Sequence, residues 1–227
     1  MRKQEYWKQE ALGFARYYSA FWLLSPKACV SKFLNARTNT VMSLIGFAKN
    51  KVVLDVGCGN GIHLERLLTQ SKRVVGMDIS KEMLDAAENR LYGQGKSNYM
   101  LYLADAEKRF PFEDNKFDIV MSIGLLDYVT PSKVLLECRR VLKDDGLVIF
   151  TIPKRPSIFF FLRGSLGNVI RKMLLGLPSI ANALTRNELS CLIEGCGLES
   201  LHVKPLWTTM WIAKAKKSVR QEVHSSE

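Results

Sequence analysis

Val53-Leu54-Asp55-Val56-Gly57-Cys58-Gly59-Asn60-Gly61 is the stretch that decides how this chain is read. An apolar run ends in a glycine cluster, and Ile62, Leu64, Leu67 and Leu68 after it are spaced as the buried stripe of a helix. Strand, glycine-rich turn, helix is an order that brings backbone close to a ligand, because glycine carries no Cβ and accepts positive φ. The spacing departs from the dinucleotide fingerprint G-x-G-x-x-G: the third glycine comes one residue early, and a carboxylate, Asp55, stands just before the turn. A carboxylate there suits a cationic ligand better than a pyrophosphate.

Outward from the turn, short apolar runs alternate with amphipathic ones, the pattern of a mostly parallel sheet with helical crossovers. Arg73 to Met77 reads as a second strand, Ser80 as a helix N-cap, and Met83, Leu84, Ala87 and Leu91 as a buried helical stripe. Asp78 ends that second strand about 20 residues past the first turn, where an acid accepts hydrogen bonds from both ribose hydroxyls of an adenosine moiety. Tyr99–Leu103, Phe117–Ser122 and Leu147–Ile152 read as further strands, with a helix from about Ser132 to Leu142 stopped by the turn Lys143-Asp144-Asp145-Gly146. A helix near Arg186 to Gly195 precedes two strands, Leu198–Lys204 and Trp207–Lys214, with Pro205-Leu206 between them as a hairpin turn. Two helices, near residues 5–22 and 29–47, precede the core, and the last residues read as frayed.

The 227 residues, 47% hydrophobic and 24% charged, fall in the size range of one α/β domain. It divides into a helical N-terminal cap (1–51), a cofactor-binding core (52–155), an insertion (156–185), a closing helix and hairpin (186–217) and a tail (218–227). The net charge of +11 splits as +7 over residues 1–51, −2 over 52–150 and +6 over 151–227. The basic excess therefore lies outside the core, either facing something anionic or as a solvated surface. Cys29, Cys58, Cys138, Cys191 and Cys196 form no C-x-x-C pair, and the histidines are too scattered for a zinc site, so no metal is expected and a reduced intracellular setting is. The start carries no secretion signal, and Lys154, Arg155 and Arg163 interrupt the most apolar region before it reaches spanning length. The expected location is the cytoplasm, with peripheral contact at the inner membrane surface as an extension.

With these motifs in order, the sequence resembles the class I S-adenosylmethionine-dependent methyltransferases, and within them the small-molecule branch that includes quinone-ring methyltransferases. The family's first motif matches Asp55 to Gly61, its acidic ribose ligand Asp78, and its adenine-side acid Asp105 within Ala104-Asp105-Ala106. Pro111-Phe112-Glu113-Asp114-Asn115-Lys116-Phe117-Asp118, then Arg139-Arg140-Val141-Leu142-Lys143 and Gly146, continue the match over residues 52–152. The resemblance implies a Rossmann-like, doubly wound, seven-stranded, mostly parallel sheet with a C-terminal antiparallel hairpin, a helical N-terminal segment and a helical insertion after the fifth strand. It also implies S-adenosyl-L-methionine as co-substrate, held by Asp55, Gly57, Cys58, Gly59, Asn60, Gly61, Asp78, Ile79, Met83, Asp105, Ala106 and Ser122.

Methyl transfer from a sulfonium is an in-line displacement on an activated electrophile, so the protein mainly aligns the acceptor and excludes water. The acceptor is expected at the carboxyl edge of the sheet, by Ser122-Ile123-Gly124-Leu125-Leu126-Asp127-Tyr128. No Asn-Pro-Pro-Tyr or Asp-Pro-Pro-Tyr stands there, which argues against amino-group methylation of a nucleobase or glutamine. Many relatives carry Glu-His after this strand, whereas this chain has Asp127-Tyr128. Asp127 either takes a proton from the acceptor or caps a turn, and Tyr128 either orients the acceptor or packs. His63 lies near the cofactor or is exposed, His202 alternates within a strand, and Arg37 has no readable role. The aromatic run Tyr6, Trp7, Phe14, Tyr17, Tyr18, Phe21 and Trp22 either covers an apolar acceptor or packs on the sheet. The insertion at 156–184 carries Arg163, Arg171 and Lys172 from Ser157 onward and no acid, which fits an anionic lipid surface, a cap over an apolar acceptor with an anionic group, or a helical cap packed on Trp207 and Trp211. The expected partner is a small-molecule or lipid-like acceptor rather than nucleic acid. The rival readings are an RNA methyltransferase and a non-catalytic cofactor-binding protein.

Overall fold

The computed structural model describes residues 26–155, 182–207 and 209–218. The aromatic helix expected near 5–22, the body of the insertion and the tail beyond residue 218 lie outside the described residues. In chain order the elements are α1 (Pro26–Ile45), β1 (Val52–Val56), α2 (Ile62–Leu68), β2 (Arg73–Asp78), α3 (Lys81–Tyr92), β3 (Tyr99–Leu103), β4 (Phe117–Ser122), α4 (Pro131–Val141), β5 (Leu142–Pro153), α5 (Arg186–Gly195), β6 (Leu198–Leu206) and β7 (Met210–Lys217). None of the described helices is long and apolar enough to cross a membrane.

The strands form one seven-stranded sheet in the order β3-β2-β1-β4-β5-β7-β6. β1 to β5 run parallel, and β7 is antiparallel to both β5 and β6, which is the expected doubly wound sheet with its terminal hairpin. The order reverses between β1 and β4, and this switch point opens a crevice at the carboxyl ends of the strands. Side chains alternate along β1: Leu54 and Val56 pack with α4 and α5 residues such as Val134, Leu135 and Ile193, whereas Val53 packs with Val41 of α1 and Leu64 and Leu67 of α2. Alternation therefore places Asp55 on the α1–α2 side, beneath the N-terminal cap.

Local signals set most boundaries. The Ser80 hydroxyl accepts the Met83 amide at the start of α3, and Thr185 with Glu188 forms a capping box on α5. α1 begins and ends earlier than the expected 29–47, because Gly46 takes φ +67° and returns its amide to the Met42 carbonyl, closing the helix at Ile45.

Two boundaries need correction. Lys143 to Gly146 is not a turn before the fifth strand: β5 begins at Leu142, directly after α4. Pairing jumps from Phe117↔Leu142 to Ile119↔Leu147, so these four residues are a bulge inside the strand, held by Lys143 on Asp118 and Lys217 on Asp144. At the other end, Pro205 and Leu206 belong to β6, and the chain reverses between Leu206 and Met210. Proline is tolerated there because β6 is an edge strand and its outer side needs no amide donor.

Gly76 sits in β2 between two layers. A Cβ there would stand 2.6 Å from Leu64 Cδ1, 2.8 Å from Cys58 Sγ and 2.9 Å from Leu101 Cδ2. Gly76→Ala is expected to destabilise the fold by about 1–3 kcal/mol, lowering the thermal midpoint by about 2–4 °C for each kcal/mol in a chain of this size. Circular dichroism melting checks this.

Candidate cofactor and acceptor site

The turn after β1 is built on the end of β2. The Gly57 and Cys58 amides both donate to the Met77 carbonyl, at 2.8 and 3.1 Å, and the Gly59 amide donates to Asp78 Oδ2 at 2.9 Å. The Gly61 amide returns to the Cys58 carbonyl. Four amides that a phosphate cradle would leave open are thus used inside the protein, which bears out the departure from the dinucleotide spacing. Gly57, Gly59 and Gly61 all have positive φ, and nothing stands within 4 Å of where a Cβ on Gly59 would lie, so the turn's apex is open.

Asp78 accepts Gly59 on one oxygen and the Ser80 amide on the other, at 3.0 Å. Burial raises its carboxyl above the usual range, opposed by the amide bonds from Ser80, Gly59 and Ile79. Each oxygen keeps a lone pair for a further donor. Met83 is buried beside Ser80, which caps α3, and Ile79 is half-buried in the same turn. After β3, Asp105 accepts the Glu107 amide on Oδ1, and Ala106 is buried in the core. Glu107, which the sequence reading passed over, accepts from both the amide and the hydroxyl of Thr130, joining this loop to the start of α4.

Beneath the turn lies a buried polar cluster drawn from three elements. Asp55 of β1 has no solvent exposure, and neither carboxyl oxygen has a hydrogen-bond partner among the described residues. His63 of α2 stands with Nδ1 3.8 Å from Asp55 Oδ2 and Nε2 3.3 Å from the Thr38 hydroxyl of α1. The spacing is that of an ion pair, but the charges are not. Burial, reinforced by Asp78 and opposed by Arg37, pushes the Asp55 carboxyl up to about 8, and burial with Arg37 and Arg66 nearby holds His63 down to about 3. Both are neutral at pH 7. Arg37, whose role was unreadable, is buried, and its guanidinium lies against Gly124: a Cβ on that glycine would meet Nη1 at 2.7 Å.

The acceptor-side loop follows β4 and touches the cofactor turn directly, since a Cβ on Gly57 would meet the Leu125 side chain at 3.0–3.2 Å. The Tyr128 amide donates to the Leu125 carbonyl, and Asp127 is buried within the turn so formed. Ser122, at the end of β4, is fully buried, and among the described residues neither its hydroxyl nor the buried side-chain amide nitrogen of Asn60 has a hydrogen-bond partner. Asn182 donates to the Leu126 and Val129 carbonyls, so the returning end of the insertion is fastened to this loop.

A family model described as a methyltransferase domain matches residues 54–150. The chain is 30% identical over 166 residues to a ubiquinone biosynthesis O-methyltransferase of Bordetella avium, covering 72% of this chain and 68% of that protein. The chain belongs to the class I S-adenosylmethionine-dependent methyltransferases. It is also 28% identical over 187 residues to the ubiquinone biosynthesis O-methyltransferase of Photobacterium profundum, covering 79% of each. In fold it is similar to magnesium protoporphyrin IX methyltransferase from Synechocystis PCC 6803 with bound SAH, at a TM-score of 0.70 and 17% identity over 95% of this chain and 97% of that one.

As a methyltransferase of this class it takes its methyl group from S-adenosylmethionine, and the residues at the switch point fit that molecule. Asp78 has acceptor capacity for ribose hydroxyls, the apex at Gly59 is open, and the unpartnered polar atoms of Asn60 and Ser122 lie at the ends of β1 and β4. The cofactor residues expected from sequence lie at the carboxyl ends of β1, β2 and β4, on the turns after β1, β2 and β3 or, for Met83, in the first turn of α3. His63 is not exposed: it is buried on Asp55. The readable signal for Thr38 and His63 is polarity at an apolar position, since Thr38 falls in the buried stripe Leu34, Val41, Ile45 and His63 in that of Leu67.

The buried pair shapes the pH dependence of the cofactor-free methyltransferase. Folded Asp55 keeps a proton that the unfolded chain releases above 3.8, so its contribution to stability is lost as pH rises from about 4 to about 8. Folded His63 refuses a proton that the unfolded chain takes up below 6.5, so its contribution is lost as pH drops from 6.5 towards 3. Between about pH 4 and 6.5 the two oppose and largely cancel, so Asp55→Asn is expected to flatten the fall above pH 6.5 and to uncover a loss of stability from pH 6.5 down to 4, read by thermal unfolding from about pH 4 to 9.

Proposed function

We propose that this methyltransferase transfers the methyl group to an oxygen of a small, apolar, ring-bearing acceptor of the phenol or quinol type. The observation that carries the reading is the packing of Leu125 on Gly57, which sets the loop bearing buried Asp127 directly against the cofactor turn. The printed activity of the Bordetella avium and Photobacterium profundum relatives, ubiquinone biosynthesis O-methylation, supports the same class of acceptor.

In this reading the carboxyl ends of the strands take the cofactor in order. Asp105 and Ala106 after β3 face the adenine, Asp78 with Ile79 and Met83 the ribose, and Asp55, the turn Gly57-Cys58-Gly59-Asn60-Gly61 and Ser122 the amino-acid end. An α-ammonium brought beside Asp55 favours the ionised form of a carboxyl that is protonated in the cofactor-free protein, and Asp55 and Arg37 then offer the opposite charges that an α-ammonium and an α-carboxylate call for. The bound cofactor provides an electrophilic methyl group. Asp127 accepts the proton of the acceptor hydroxyl, Tyr128 orients the ring, and the loop between β4 and α4 excludes water. The two ends of the insertion meet each other, as the Arg155 amide donates to the Leu184 carbonyl, the Leu184 amide to the Pro153 carbonyl and Trp211 Nε1 to the Leu184 carbonyl at 2.8 Å, and Asn182 of the returning end donates to the Leu126 and Val129 carbonyls of this loop. The composition of the segment between them, basic and free of acids, fits an acceptor that carries an anionic group, at a lipid surface or free.

Calorimetric titration with S-adenosylhomocysteine tests the cofactor half. Asp78→Ala is expected to weaken binding at least about a hundredfold, since two hydrogen bonds to a charged group are lost together. Asp127→Asn tests the acceptor half: it is expected to lower kcat on phenolic acceptors by about 10²-fold or more while leaving cofactor affinity unchanged. A loss of cofactor affinity instead would place Asp127 in the wrong half of the site.

A further inference from the structure

We propose that His63 is a positioning residue for the amino-acid end of the cofactor, orienting the Asp55 carboxyl towards it and fastening helix α1 over the cofactor turn. The inference rests on the reading of Asp55–Gly61 as the cofactor turn. It starts from a polar group with unmet needs: Asp55 has no solvent exposure, and both its oxygens are buried without a hydrogen bond among the described residues. A buried carboxyl without donors is costly, so this arrangement is one that a ligand completes. Asp78 and Asp105 place the adenosine over β2 and β3, and continuing along the crevice brings the amino-acid end to β1, above Asp55.

His63 adjoins Asp55 from α2. Nε2 lies 3.3 Å from the Thr38 hydroxyl and Nδ1 faces Asp55 Oδ2 at 3.8 Å; once Asp55 is ionised against the cofactor's ammonium, the ring proton belongs on Nδ1 and Nε2 accepts the Thr38 hydroxyl. That distance is too long for a hydrogen bond and short enough to become one with a small shift of either side chain. The charged and titratable groups around the ring are Asp55 on β1, Arg37 on α1, Arg66 on α2 and, beyond Asp55, Asp78 on β2. Burial and the two arginines keep the ring uncharged. An uncharged donor directs the carboxyl without competing with the cofactor's ammonium for it, which a lysine or arginine at this position would do. Through Thr38 the same ring ties α1 to the turn, and α1 carries Arg37.

Two ligands separate this role from ordinary packing. S-Adenosylhomocysteine carries the amino-acid end, and 5′-methylthioadenosine lacks it. Calorimetry is run with both on the full chain as wild type, His63→Leu, His63→Gln and Thr38→Val. His63→Leu is expected to weaken S-adenosylhomocysteine about tenfold and 5′-methylthioadenosine less than about twofold. His63→Gln, which keeps a donor and an acceptor, is expected to recover most of the loss. If His63→Leu does not fold, Thr38→Val carries the test, with a smaller loss confined to S-adenosylhomocysteine. Equal weakening of both ligands, or of neither, overturns the proposal. Wild type binding neither ligand overturns the cofactor turn itself, a different result from wild type binding both with no effect of His63.

Discussion

The turn after β1 closes by giving its amides to the end of β2, and the rest of the site depends on that closure. Gly57 and Cys58 share the Met77 carbonyl, and Gly59 takes an oxygen of Asp78. Because these donors are satisfied internally, the turn offers an open apex and a set of acceptors rather than a nest for phosphate. The tight closure also explains Gly76, whose missing side chain makes room for Cys58 and Leu64. Cofactor preference thus follows from where backbone hydrogen bonds go.

Closure of the turn also traps Asp55. A carboxyl on the α1–α2 face of a central strand is cut off from water by helix packing, and desolvation outweighs the nearby arginine. Kept protonated by that burial, the carboxyl stands at the switch point without a hydrogen-bond partner among the described residues. Asp55, His63, Thr38 and Arg37 come from β1, α2 and α1, so the buried polar cluster joins α1 to the turn after β1.

On the acceptor side, the loop from Gly124 to Thr130 is pinned at four points: Gly124 to Thr151, Leu125 on Gly57, Asn182 on Leu126 and Val129, and Thr130 on Glu107. Each pin joins a different part of the chain: β5, the cofactor turn, the end of the insertion and the adenine-side loop. A loop held this way presents Asp127 and Tyr128 in a fixed place, which suits chemistry that needs alignment more than acid–base power.

Sequence alone determined the parts governed by local rules. Alternating apolar runs marked out the strands and helices, the one-residue shift of the third glycine separated the turn from a dinucleotide spacing, and the acid Asp78 was legible at the end of β2. The errors lay where two elements compete for the same residues. Lys143 to Gly146 has the composition of a turn, yet pairing with β4 and the ion pairs of Lys143 with Asp118 and of Asp144 with Lys217 draw it into a bulged strand. Pro205 reads as a break until the strand is known to be an edge. Only the tertiary structure decided the state of Asp55 and of His63 and brought Arg37 and Thr38 beside them. The charge of Asp55 and His63 depends on burial and on neighbours distant in the chain, and desolvation is a property of packing that no local pattern encodes.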